Sequence, residues 1–329
     1  RTELASLAGY RAAGGYAALE AALKRKPEEV AGVVAKSNIR GLGGAGFPTG
    51  FKWSTLPPRE KVAKPRYLVV NADESEPGCF KDRVLLERSP HQLIEGMLIA
   101  GYAISADALF VFIRGEYARQ YRILLRAIEE ARAAGYLGAK LFGSEYSATI
   151  RVMRGANAYI SGLDTALLES MEGKKAWPRQ PPPFPTTAGL LGCPTVVNNV
   201  ETVAMLPHVL GLGAEAFAKL GFEKSGGTCV YSISGHAAKP GIYEFPLGTP
   251  LAEILAAAGG AAGGRKIKAV IPGGASTPML TPENFGVRMD FDSLRGVGSF
   301  LGAGGIVVHD ESADMISALH VIERFLAHE

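Results

Sequence analysis

Apolar and polar positions along the chain follow two rhythms. Runs rich in β-branched, aliphatic and aromatic residues stand at Tyr67–Val70, Leu109–Ile113 and Thr149–Met153, the last broken by Arg151. The first reads as a buried strand and the other two as further strands. Between them, apolar residues recur at helical spacing over His91–Ile104 and Tyr117–Ala134. The second helix keeps Arg119, Arg122, Arg126, Glu129, Glu130 and Arg132 on its wet side and ends at Gly135. His91 follows Ser89-Pro90 and reads as a helix-start residue rather than a ligand. A further helix, Ala166–Met171, closes at Gly173. Strand and helix in alternation predict an α/β fold with a mostly parallel sheet and helices on both faces. Residues 1–39 read as two short amphipathic helices, one over Tyr16–Lys26 and one opening at Pro27, with Lys24 to Lys26 on a solvated face.

The pattern changes near Gly221–Gly227. Beyond it lie short strands at Cys229–Ile233, Gly241–Phe245, Lys268–Ile271 and Ile306–Val308, with a helix at Leu251–Ala258. These predict a small α+β module, followed by a last helix, Asp314–Ala327. The most apolar region, Gly96–Ile113, carries Asp107 and a Ser-Ala-Asp break, so it reads as a buried helix and strand rather than a membrane span. No targeting segment is evident, and the chain opens on Arg1, which suggests a start upstream of it.

Composition narrows the picture only slightly. The 329 residues suffice for two domains, and a net charge of +3 argues against a nucleic-acid protein. Cys79, Cys193 and Cys229 are isolated, lack metal or cluster spacing and suggest a reducing compartment. The 41 glycines are more telling, because they favour sites lined by backbone.

The candidate chemistry sits where strands end. Gly41, Gly43, Gly44, Ala45 and Gly46 precede Phe47, Pro48, Gly50 and Lys52. Unshielded N–H groups followed by a lysine read as a phosphate cradle or as a flexible loop, and the spacing is neither a dinucleotide fingerprint nor a Walker loop. Asn71, Asp73, Glu74 and Glu76 crowd the end of the first strand, where open α/β sheets bind ligands. Asn71 and Asp73 suit ribityl or ribose hydroxyls, and Glu74 or Glu76 suits an amide; helix-capping in an acidic turn is the alternative. A second Gly-bearing turn, Arg154–Thr165, leads into a helix, with Asp164 either bonding hydroxyls or capping. The stiff, extended stretch Pro178–Pro185 presents Phe184 for stacking, and an SH3-type ligand is the weaker reading. Asn198 and Asn199 stand ahead of a helix, to bridge hydroxyls or to cap it.

Taken together, these motifs resemble the NADH-oxidising flavoprotein subunit of respiratory complex I, in the family of F subunits of NADH:quinone oxidoreductases. The matching stretches are RGLGGAGFPTGFKWS (40–54), NADESEPG (71–78), HQLIEGMLIAGYAI (91–104), RGEY (114–117), ALLESMEGK (166–174), PPFP (182–185), CPTVVNNVET (193–202), KPGIYEFPLGT (239–249) and AVIPGGASTP (269–278). They run in one order over almost the whole chain. The resemblance implies a Rossmann-like FMN and NADH domain over residues 1–222, a ubiquitin-like β-grasp domain over 223–309 and the start of a helical [4Fe–4S] domain over 310–329. It implies FMN contacts from Gly41 to Gly46, Lys52, Asn71, Asp73, Glu74, Tyr159, Gly162, Asp164, Val197, Asn198 and Asn199. It places the nicotinamide nucleotide against Phe47, Glu76, Asp164 and Phe184, with Phe184 stacking on adenine. The implied reaction is hydride transfer from NADH to FMN; no side chain need act as acid or base, and Glu76 is the nearest candidate. Implied partners are a small thioredoxin-like [2Fe–2S] subunit and a large iron–sulfur subunit of a peripheral arm. The implied location is the cytoplasmic face of a bacterial inner membrane, or the matrix side in a mitochondrion, without membrane insertion. No nucleic-acid site is implied.

The sequence departs from that family in places. Ser161-Gly-Leu-Asp-Thr165 stands where Cys-Gly-Glu-Glu-Thr is usual, Pro181 replaces a lysine, and Thr55 replaces an aromatic. All three fall on the nucleotide side, and Leu163 removes a charge that bears on discrimination against a 2′-phosphate. The final Phe325–Glu329 matches the stretch just before the family's cluster-ligating cysteine run, which this sequence does not include. Two alternatives stand beside the respiratory reading. One is the diaphorase subunit of a soluble NAD-linked hydrogenase or formate dehydrogenase. The other is a degenerate FMN-binding scaffold.

Overall fold

A computed structural model describes residues 2–329, with backbone alone at Thr2 and Glu3; Arg1 lies outside the described residues. Two compact units make up the chain. One holds the residues up to Gly41, Phe47–Glu74 and Asp82–Phe217; the other holds Leu42–Gly46, Ser75–Lys81 and Ala218–Glu329.

In the first unit, three short helices open the fold: α1 (Leu7–Ala12), α2 (Ala17–Leu23) and α3 (Pro27–Lys36). Two were expected; Leu7–Ala12 was missed because it is a turn and a half long and ends at Gly14-Gly15. After α4 (Thr49–Ser54) comes strand β1 (Tyr67–Ala72). Helices α5 (Lys81–Arg88) and α6 (Pro90–Ala103) lead to β2 (Ala108–Ile113). Helix α7 (Ala118–Ala133) leads to β3 (Ile150–Arg154). Helices α8 (Asp164–Met171) and α9 (Pro185–Ala188) precede β4 (Thr195–Asn199). The strands lie in the order β3-β2-β1-β4 and every pairing is parallel. Helices α10 (Val200–Ala204), α11 (Leu206–Leu212) and α12 (Ala214–Lys219) follow.

The sheet is covered on both faces, as expected of a parallel sheet. Leu68, Val70, Ala72, Leu109, Val111 and Ile113 alternate onto one face, in a core with Ile94, Leu98 and Val203. Val69, Phe112 and Val197 alternate onto the other, against Leu167, Leu168 and Met171 of α8. Helix α6 is buried on nearly every side, with only Gln92 and Tyr102 left partly exposed. A Cβ at its Gly96 would lie 2.0 Å from the Val203 carbonyl oxygen, so only glycine lets α6 approach α10 this closely.

Burial of α6 carries two polar residues inward. The Glu95 carboxylate accepts from the Tyr10 hydroxyl, from Tyr16 N at 2.8 Å and from Leu19 N at 2.9 Å. The N-terminal helices are thereby tied to the sheet unit through one charge with three donors. His91 is fully buried and lies 3.0 Å from the Tyr16 hydroxyl through Nδ1 and 3.1 Å from Glu130 through Nε2. Burial lowers its pKa against the pull of Glu130. The neutral ring therefore carries its proton on Nε2, donated to the Glu130 carboxylate, and accepts a hydrogen bond from the Tyr16 hydroxyl at Nδ1.

The second unit is a mixed sheet in the order β6-β5-β8-β7, made of β5 (Thr228–Gly235), β6 (Gly241–Pro246), β7 (Ile267–Ile271) and β8 (Gly305–Asp310). The central β5 and β8 are parallel and the flanking pairs antiparallel. Helix α13 (Leu251–Ala257) packs Leu251, Ile254 and Leu255 against it, and α14 (Phe291–Gly296) adds Phe291 and Leu294. This is the expected β-grasp arrangement. Helix α15 (Met315–His328) ends the chain, with Ile316, Leu319, Val321 and Leu326 exposed.

Candidate functional site at the β1–β4 switch point

From β1 the chain first builds outward through β2 and β3, then returns to set β4 on the other side of β1. The strand order reverses between β1 and β4, and in open α/β sheets the crevice outside the carboxyl ends of the strands at such a point is where ligands bind. The pairing places Val70 opposite Asn198 and Asn71 opposite Asn199. Topology alone thus brings Asn71, Asp73 and Glu74 beside Val197, Asn198 and Asn199.

Local bonds then shape the crevice. Asn71 turns the chain as β1 ends: its Oδ1 accepts from Asp73 N at 3.1 Å, and its Nδ2 donates to the Gly162 carbonyl at 2.7 Å. That second bond brings in the turn Tyr159–Gly162, which precedes α8. Asp73 is buried and bonded to Ser161 Oγ, and burial raises its pKa against the pull of Ser161 and Arg114. Glu74 accepts from Asp82 N at 2.9 Å and Arg83 N at 3.2 Å, at the start of α5, and from the Tyr117 hydroxyl at 3.0 Å. Arg114 donates to the Glu74 carbonyl at 2.8 Å.

Lys52 reaches the same crevice from α4. Its Nζ donates to the Val197 carbonyl at 2.9 Å and pairs with Asp164 at 3.2 Å. The capping role considered for Asp164 is therefore corrected: Leu163 occupies the N-cap without a side-chain bond, and Asp164 is the first helical residue, turned to Lys52. Of the two asparagines, Asn199 caps α10 through Oδ1 and donates to Asp82 at 2.6 Å. Asn198 accepts from the Trp53 indole at 2.9 Å.

The Gly loop is closed at its base by Gly41 N to the Phe47 carbonyl at 2.9 Å and Thr49 N to the Ile39 carbonyl at 3.1 Å. Thr49 Oγ1 is buried and has no protein partner. Phe47 (43% exposed) and Phe184 (62%) stand out from the surface, and Phe184 caps the short helix α9. The 178–184 stretch is not one continuous extended helix: it bends, with cis peptides at Pro181-Pro182 and Pro182-Pro183.

The loop tip and Glu76 belong to the second unit. There, Gly44 has φ +135° with open space where a Cβ would point, and Gly46 has φ +64° with Phe291 only 2.2 Å from that position. Glu76 accepts from Ser276 N at 2.6 Å.

Residues 34–208 match the family model described as the Nuo51 FMN-binding domain, and residues 230–308 match the SLBB domain. The second F subunit of NADH-quinone oxidoreductase of Rhizobium meliloti is 50% identical over 325 residues, spanning 98% of this chain and 77% of that protein. The corresponding F subunit of Rickettsia typhi is 51% identical over 298 residues, 90% of this chain and 70% of that one. The chain belongs to the family of NADH-quinone oxidoreductase F subunits. A crystal structure of NAD+-reducing [NiFe]-hydrogenase in the H2-reduced state also matches, with a TM-score of 0.84 and 38% identity over 95% of this chain. The chain spans about half of that hydrogenase chain, 52%.

In this F-subunit chain, several groups that shape the crevice carried no signal of their own in the sequence. Ser161, Asp82 and Trp53 act through partners 88, 117 and 145 positions away. Arg114 and Tyr117 stood in the RGEY stretch without a role, and their partner is Glu74.

Proposed function

We propose that this chain is the NADH-oxidising flavoprotein subunit of an NADH:quinone oxidoreductase, with FMN held at the β1–β4 switch point. The observation that carries this reading is the set of donors and acceptors gathered there, in a chain of the F-subunit group. They fit a flavin mononucleotide. Thr49 Oγ1 is a buried group without a protein partner, and Lys52 supplies a cation for the phosphate. Asn71, Asp73, Glu74, Tyr159, Gly162, Asp164, Val197, Asn198 and Asn199 would line the ribityl and ring, with Gly41, Gly43, Ala45 and Gly46 shaping the phosphate loop.

When bound, FMN would supply the hydride-accepting chemistry that links NADH oxidation to iron–sulfur electron carriers. The protein's own part is orientation. Lys52 would meet the phosphate charge, bonds among Asn71, Gly162 and Ser161 fix the turn before α8, and Phe47, Glu76 and Phe184 would hold NADH. No side chain has to move a proton during hydride transfer.

Membership of a complex I or NAD-reducing hydrogenase-like assembly follows from the family and the structural match. Within it, we assign a small [2Fe–2S] thioredoxin-like subunit and a large iron–sulfur subunit as neighbours, and a peripheral position on the inner face of the membrane. Among the described residues no helix is long and apolar enough to cross a membrane, and no group of side chains is arranged to hold a metal. A [4Fe–4S] cluster belongs to the full-length protein in this reading, and the functional divisions fall near residues 222 and 309. The hydrogenase match favours a second reading, the diaphorase subunit of a soluble NAD-linked hydrogenase. Co-purification of the native complex decides between them: quinone-reductase subunits support the first, hydrogenase subunits the second. FMN titration of the apo chain tests the site itself, and failure to bind one FMN per folded chain would refute it.

A further inference from the structure

We infer that Arg179 is a positioning residue for nucleotide binding, a clasp that fixes the segment presenting Phe184. The inference rests on Phe184 being the adenine-stacking residue. That segment, residues 180–184, lies outside any helix or strand, and its phenyl ring is 62% exposed. On its far side the backbone is held, because Thr187 N and Ala188 N donate to the Phe184 carbonyl at 2.9 and 3.0 Å. Thr186 is bonded to Thr55 at 2.9 Å.

On the near side, Arg179 makes the bonds that hold the segment. Its Nε donates to Glu169 and its second guanidinium nitrogen to Glu172 at 2.7 Å, both on or just past α8. The third nitrogen donates to the Gly189 carbonyl at 2.7 Å, and the backbone N–H donates to Thr165 Oγ1 at 3.1 Å. Glu172 also accepts from Leu191 N at 2.7 Å. One planar fork thus joins α8, the start of the proline segment and the 189–191 turn, a task that a lysine's point charge cannot reproduce. The group is partly buried, with side-chain exposures of 24%, 18% and 8% for Arg179, Glu169 and Glu172. Lys174 pairs with both carboxylates independently, at 3.5 and 2.7 Å, so removing Arg179 loosens the segment without stranding two bare charges.

The test uses the full chain loaded with FMN and NADH:ferricyanide kinetics of R179A, R179K, F184A and R179A/F184A. Loss of one stacked base contact is expected to raise the KM for NADH about tenfold in F184A. R179A should raise KM comparably with kcat and FMN affinity little changed, R179K should recover only part of it, and the double variant should be no worse than F184A. Hydrogen exchange should rise across residues 175–193 in R179A and not in F184A. A KM raised by F184A but unmoved by R179A, or raised additively in the double variant, overturns the clasp alone. A KM unmoved by F184A removes Phe184 from the nucleotide site and the clasp's purpose with it.

Discussion

Replacing Glu95 with glutamine is expected to destabilise the first unit by about 2–4 kcal/mol while leaving the reaction with NADH intact at low temperature. The figure follows from the bonds. Glu95 Oε2 accepts two donors, the Tyr10 hydroxyl and Tyr16 N, and Oε1 accepts one, Leu19 N. A glutamine keeps one accepting oxygen. Its best orientation retains the pair on the Oε2 side and turns an NH2 group against the Leu19 N–H. That removes one charge-assisted bond, worth about 1.5–3 kcal/mol, and leaves a buried donor unmet for about 1–3 kcal/mol, with some overlap between the two terms. An alanine would orphan all three donors at a site only 1% exposed and cost about 4 kcal/mol or more. Urea unfolding followed by native-state hydrogen exchange reads both numbers, and for a unit of this size the glutamine variant should melt about 4–16 °C lower. Protection should fall first over Tyr10–Leu19. A loss below about 0.5 kcal/mol for both variants, within the range of ordinary surface substitutions, would refute the claim that this charge ties the N-terminal helices down.

Three other outcomes are expected. His91 has a folded pKa below its ordinary 6.5, so the unfolded chain takes up that proton at the higher pH. Its contribution is full above about pH 6.5 and is lost as pH falls through the folded value; His91→Gln should flatten that part of the stability–pH curve, leaving carboxylate losses at lower pH. Lys52→Met should weaken FMN binding about ten- to hundredfold in a fluorescence titration, because a charge-assisted phosphate contact is lost. Gly96→Ala should cost about 3 kcal/mol or prevent soluble expression, since its Cβ would meet the Val203 carbonyl at 2.0 Å and backbone cannot yield cheaply; a melting temperature equal to the parent's would contradict that contact.

What the sequence made legible is what local pattern controls. Strands β1 and β2 lie inside the sheet and write themselves as apolar runs, β3 at its edge keeps apolar residues around the exposed Arg151, and α6 and α7 carry helical spacing. The acidic turn after β1 was readable because carboxylates at the end of a buried strand are conspicuous. Helix α5 was not, because Lys81–Arg88 is charged in composition, and its Lys81 and Asp82 are buried by context. Glu95 hides inside an apolar helical stretch, where nothing local separates a buried charge with three donors from a solvent-facing one. Asp164 looked like a cap because caps are local, whereas its partner Lys52 lies 112 residues away. Arg179 sat between prolines and drew no attention; its partners on and just past α8 are 10 and 7 positions upstream, with no secondary structure to signal the approach.

The most direct measurement is an anaerobic NADH titration of the purified, FMN-loaded protein, following the flavin's visible absorption band. Bleaching complete near one NADH per flavin is the expected result, and it would show a working hydride site in spite of Leu163 and Pro181. A bound flavin that neither NADH nor NADPH bleaches would contradict an NADH-oxidising subunit and leave an FMN-binding scaffold in its place.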